Sequence, residues 1–156
     1  MASAIPNSAK VRLLNGGIDL DTDDIRARLC MTNTTCDTEV DAINDLADYT
    51  TIDPCNASGY ADVALASEAV AADDANDRAE FDATDISFTG LGGDASRDYQ
   101  GVLLYKYVDG TNANDIPLCF IDFSADIPLQ ATQVNVPWNA EGILQLASAE
   151  VINGVR

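Results

Sequence analysis

Asp19-Leu20-Asp21-Thr22-Asp23-Asp24 puts four carboxylates within six residues. Clustered oxygen ligands are what a hard cation such as calcium requires. The stretch nevertheless lacks the glycine and the distal glutamate of an EF-hand loop. Its alternative reading is a turn leading into a strand, with the aspartates accepting local backbone N–H groups. Cys30, Cys36, Cys55 and Cys119 are the other residues whose type could support chemistry. They form no C-x-x-C pair, and the chain has no histidine to complete a zinc site. Cys119, between Leu118 and Phe120, reads as a buried thiol acting as a small hydrophobe. Cys36 and Cys55 bracket a long polar stretch, and a disulfide between them would close it. Spacing alone leaves the connectivity open.

The missing histidines also remove the commonest general base. No serine lies in a G-x-S-x-G elbow. Carboxylate pairs of the glycosidase kind carry no signal here, because acids occur throughout the chain. No catalytic site and no cofactor or metal are expected. Asn33-Thr34-Thr35 and Asn56-Ala57-Ser58 match the glycosylation sequon, which matters only in a secreted eukaryotic chain. Trp138, after Pro137, reads as a core plug at the end of a sheet, with sugar stacking as the alternative.

The chain has 26 acidic and 8 basic residues, a net charge of −18. Such a surface repels phosphate backbones and anionic lipid, so neither nucleic acid nor membrane is an expected partner. It favours solubility or a basic partner. No apolar run is long enough to span a bilayer, and residues 1–10 lack the features of a signal peptide. The length, 156 residues, suits one domain.

The elements that must position these groups read as strands. Residues 101–108 are apolar on both faces, so they predict a central strand covered on both sides. Val102, Leu104 and Val108 point one way, and Leu103, Tyr105 and Tyr107 the other. Lys106 snorkels out. Further strands are predicted at 25–31, 61–70, 78–88, 116–123, 133–138 and 142–147, with a turn at 73–77. Residues 9–14 predict one or two helical turns, stopped by Asn15-Gly16-Gly17. Residues 32–58 predict a long polar loop, usually a sign of function, with a short helix over Val40, Ile43 and Leu46. The fold class is all-β, a β-sandwich or jelly-roll-like domain with at most one or two short helices. It occupies 9–147, between an extended N-terminal arm (1–8) and a C-terminal tail (148–156).

Three stretches together carry a resemblance. They are Leu13-Leu14-Asn15-Gly16-Gly17-Ile18-Asp19-Leu20-Asp21-Thr22-Asp23, Asp77-Arg78-Ala79-Glu80-Phe81-Asp82-Ala83, and Trp138-Asn139-Ala140-Glu141-Gly142-Ile143-Leu144-Gln145-Leu146. Their order and spacing resemble small virion proteins of tailed bacteriophages, particularly cement (head decoration) proteins. The resemblance implies a β-rich subunit, without enzymatic activity, that binds the major capsid protein on the outer surface of the shell. It also implies a homotrimer or homodimer, made in the bacterial host cytoplasm. A tail or fibre module that binds receptor or glycan is the second reading. A two-carboxylate hydrolase is the third, and it needs a deep carboxylate-lined cleft. The arm residues Ile5, Pro6 and Asn7 are the expected capsid contacts, since a loose arm can pair with a neighbour's sheet edge, with the 32–58 loop as the alternative contact.

Overall fold

The computed structural model describes residues 3–147. Its centre is β6, Tyr99–Lys106, buried from end to end except at Lys106. β6 lies between β1 (Ile25–Met31) and β7 (Ile116–Ile127) in a four-stranded sheet of order β2-β1-β6-β7, with β2 at Val63–Ala64. All pairings are antiparallel. β3 (Ala69–Asp73), β4 (Arg78–Asp82) and β9 (Leu144–Ala147) form a second sheet, ordered β3-β4-β9. β5 (Ile86–Thr89) and β8 (Gln133–Val136) form a third. The fold is all-β and sandwich-like, not a barrel.

The two faces of β6 enter two separate cores. Val102 and Leu104 join Ile25, Ala27 and Leu29 of β1 and meet Phe81, Ile86, Phe88, Val134 and Val136 from the two smaller sheets. Leu103 and Tyr105 join Cys36, Ile43, Leu46, Tyr49 and Ile52, all from residues 32–58. That segment is therefore a structural layer, not the loose polar loop expected. Its apolar side chains are buried, and its backbone is tied to the sheet. Met31 N–H donates to Asp53 O at 2.8 Å, Cys55 N–H to Leu29 O at 2.8 Å, and Leu46 N–H to Asp115 O at 3.0 Å. The predicted helix there is a single 3₁₀ turn, Leu46–Asp48, capped by Asp45. Two glycines are set by the backbone, one by close approach and one by a left-handed turn. A Cβ on Gly101 would strike Ile121 O and the Phe120 ring across the sheet, and Gly16 takes the left-handed conformation (φ 74°) that ends α1.

β1 runs over the expected residues. The predicted strands at 61–70 and 78–88 are each divided, because the chain changes sheets. Ser67 adopts a positive φ of 56° between β2 and β3, and residues 83–85 separate β4 from β5. Val108 leaves its predicted face and is half exposed.

The N-terminal arm is also corrected. Ala4 N–H donates to Phe120 O at 2.9 Å, and Phe120 N–H to Ala4 O at 2.8 Å. An edge strand presents unpaired backbone groups, and this chain covers its own β7 edge with its own arm. Ile5 packs against the larger core, and Pro6 is buried at the start of α1, Asn7–Asn15. Asn7 anchors the helix through its N–H to Val40 O (2.9 Å) and its side chain to Asp41 (2.6 Å). Residues 148–156, the predicted tail, lie outside the described residues.

Removing a side chain from the 32–58 layer should thus cost as much as a cut in the sheet. Leu46→Ala is expected to lower unfolding stability by about 2–5 kcal/mol in a single cooperative transition. Chemical denaturation checks it; a loss below about 0.5 kcal/mol, the range of surface substitutions, would show that the segment is not core.

Candidate functional site

The carboxylates of residues 19–24 are engaged with the protein. Asp19 N–H donates to Asp23 at 2.8 Å, and Asp21 N–H donates to Asp19 at 3.1 Å. Asp21 accepts the N–H of Val70 at 2.6 Å, fastening the turn to the outer edge of β3. Asp24 pairs with Arg26, and Asp23 with Lys106, each at 2.7 Å. This is the turn alternative: the aspartates complete backbone hydrogen bonds and ion pairs. Among the described residues, no group of three or more His, Cys, Asp or Glu could hold a metal ion.

The Cys36–Cys55 bridge is not formed; all four cysteines are free and buried. The reason is topological. Cys36 lies in the core beneath residues 32–58, and Cys55 lies in the core on the other side of the sheet. The thiol neighbouring Cys36 is Cys30. Burial, followed by the contact with Cys36, drives the Cys30 pKa well above that of a free thiol. Burial pushes Cys119 up to about 12. Such thiols stay protonated at neutral pH and are poor nucleophiles.

Buried and half-buried polar groups join the elements. Arg28 and Asp62 form a 2.9 Å ion pair. Asp62 also accepts from the Tyr60 and Tyr105 hydroxyls, the latter at 2.7 Å. Tyr60 accepts the N–H of Leu29 at 3.0 Å. This network links β1, β6 and the chain leading into β2. Asp115, fully buried, accepts the N–H groups of Val108, Asp109 and Gly110, at 2.8, 3.3 and 3.2 Å, and closes the β6–β7 loop.

Two concavities stand out among the described residues. One, about 860 Å³, lies between β7, the end of β8 and the start of β9. Its lining includes Trp138 and Phe123, the amides Asn135, Asn139 and Gln145, and one carboxylate, Asp122. Trp138 is half-buried rather than a sealed core plug, its indole N–H bound to Thr84 O at 3.1 Å. The other, about 570 Å³, is an apolar groove between α1, the 18–21 turn and the β3-β4-β9 sheet. Leu14, Val70 and Leu146 line it and are 83%, 47% and 67% exposed. Sequence reasoning missed both, because each gathers residues from distant segments. Ile5 borders both, while Pro6 and Asn7 line neither.

No family model matches this chain, and neither a curated protein nor a solved structure matches it.

Two outcomes follow. Thiol titration should find four reactive groups after denaturation without reductant, and essentially none in the native protein; two missing thiols would reveal a disulfide. For pH, Asp109 is held below the ordinary carboxylate range by Thr111 and Asn114, and Asp94 by the N–H of Ser58. Asn76 lowers Asp73 in the same way. Depressed folded-state values stabilise above the unfolded pKa, and that stability disappears as pH falls through the folded values. The melting temperature should hold from about pH 7 to pH 5 and fall below about pH 4. A rise on acidification would mean that relief of the −18 self-repulsion dominates instead.

Proposed function

We propose that this protein is a non-catalytic structural subunit of a phage virion, a cement protein that attaches to the major capsid protein on the outside of the shell. The observation that carries the reading is the apolar groove beside α1. The large exposed hydrophobic side chains among the described residues are Val11, Leu14, Val70, Val108 and Leu146. Three of them line this groove, and Val11 lies one helical turn before Leu14. Concentrated apolar exposure on an otherwise highly charged protein marks a contact surface. The resemblance in residues 13–23, 77–83 and 138–146 supports the same reading, because all three segments border the groove.

Charge selects the partner. Among the described residues, Asp19, Asp21 and Glu80 border the groove against one cation, Lys10. A second copy of this face would bring like charges together, whereas a basic capsid loop complements them. Attachment therefore moves from the arm, whose Ile5 and Pro6 are packed into the subunit, to the α1 face. Homotrimer or homodimer formation belongs to the same reading and would use other surfaces. Many weak contacts on a repetitive shell then add by multivalency.

The test is cosedimentation with undecorated phage heads. Wild-type protein is expected to bind in a salt-sensitive manner. Leu14→Asp and Leu146→Asp should each abolish binding without lowering the melting temperature, since both side chains are mostly exposed. Full binding by both variants would reject the groove as the attachment face. Light scattering that shows a strict monomer, free and on the particle, would reject the oligomer.

A further inference from the structure

We infer that the cleft between β7 and the β8–β9 connection binds a neutral saccharide. This cleft adjoins the groove assigned to capsid attachment, sharing Ile5, Leu144 and Gln145 with it, and the inference does not depend on that assignment. Its chemistry is mixed: aromatic surface with a few placed polar groups, the usual composition of a small-molecule site.

Trp138 is positioned rather than free. Its backbone N–H donates to Asp85 at 2.9 Å, and its indole N–H to Thr84 O at 3.1 Å. The ring is held in place against the core while part of it stays exposed at the cleft, so it can stack without losing much rotamer freedom on binding. Phe123 adds a second aromatic surface. A pyranose offers one apolar C–H face to such rings and a rim of hydroxyls to its surroundings.

The amides supply the rim. Asn135 uses its carbonyl oxygen to accept from Ser87 and Gln133, at 2.5 and 2.6 Å. Asn139 uses its own to accept the N–H of Glu141 at 3.0 Å. Each amide is thereby oriented with its NH₂ uncommitted among the described residues. Gln145 is the converse: its NH₂ donates to Glu141 O at 2.5 Å, leaving the carbonyl oxygen. Two donors and one acceptor therefore surround the aromatic surface, and hydroxyls satisfy both kinds. Asp122 Oδ1 accepts from Ser124, while its Oδ2 has no partner among the described residues. With that carboxylate and a net charge of −18, anionic sugars are excluded. Asp122 is the one carboxylate among the described lining residues, which do not make the facing pair that hydrolysis needs, so the role assigned is binding.

Trp138 is the chain's one tryptophan, so intrinsic fluorescence reports the cleft directly. The probes are maltohexaose, cellohexaose, xylohexaose and chitohexaose, at up to millimolar concentration, with heparin as the anionic control. At least one neutral oligosaccharide is expected to shift or quench the emission saturably, and heparin is not. Calorimetry on the same ligand should show Asn139→Ala weakening binding about 2- to 10-fold, the loss of one hydrogen bond. Trp138→Phe should weaken it as well, and circular dichroism would establish that both variants are folded. No saturable response to any of the four neutral probes would overturn the inference. So would binding left unchanged in Asn139→Ala, or heparin binding as tightly as the neutral sugars.

Discussion

Burial of β6 on both faces is the constraint from which the rest of the architecture follows. An apolar strand in the middle of a sheet needs a cover on each side. On one side the β3-β4-β9 and β5-β8 sheets provide it, packing Phe81, Phe88 and Val134 over Val102 and Leu104. On the other the described residues form no sheet. Residues 32–58 cover Leu103 and Tyr105 instead, with Ile43, Leu46 and Tyr49. An irregular segment can take that place only if its backbone polar groups find partners. Bonds to Leu29, Met31 and Asp98 supply them at its margins and a bond to Asp115 at its middle, while the Asp53 carboxylate accepts from Asn33 and Arg97.

The acidic composition reads differently in this light. Many of the carboxylates substitute for regular structure in a chain rich in turns. Asp115 gathers three N–H groups, Asp45 and Asp48 close a capping box, and Asp21 blocks part of the β3 edge. Others pair with the few cations. Arg78 sits among Asp73, Glu80 and Glu141 at the turn between β3 and β4. The excess charge is thus partly a by-product of how the loops are closed, and the remainder gives the surface its sign.

What was legible in the sequence follows from how each element announces itself. β1 and β6 were readable because local alternation and continuous apolarity are local signals, and the two faces of β6 divided as their alternation dictates. The stop of α1 was readable from Asn15-Gly16-Gly17, since a left-handed residue there favours glycine. The covering segment was not, because the three-residue spacing of Ile43, Leu46, Tyr49 and Ile52 reads as a helix, whereas only Leu46–Asp48 forms a helical turn and the rest is irregular chain. The docking of the arm was invisible for another reason: Ala4 uses only its main chain, which leaves no trace in side-chain type. The two concavities combine residues more than a hundred positions apart, and no local pattern encodes that.

Native-state hydrogen exchange tests most directly whether residues 32–58 are part of the core. The amides of Thr32, Leu46 and Cys55 each donate to another segment's backbone, to Asp98, Asp115 and Leu29. If the segment is the second cover of β6, these amides exchange only through the opening that also releases Leu103 and Leu104, with the same free energy and denaturant dependence. Exchange of all three through a separate, low-energy local opening, with β6 still protected, would contradict the account.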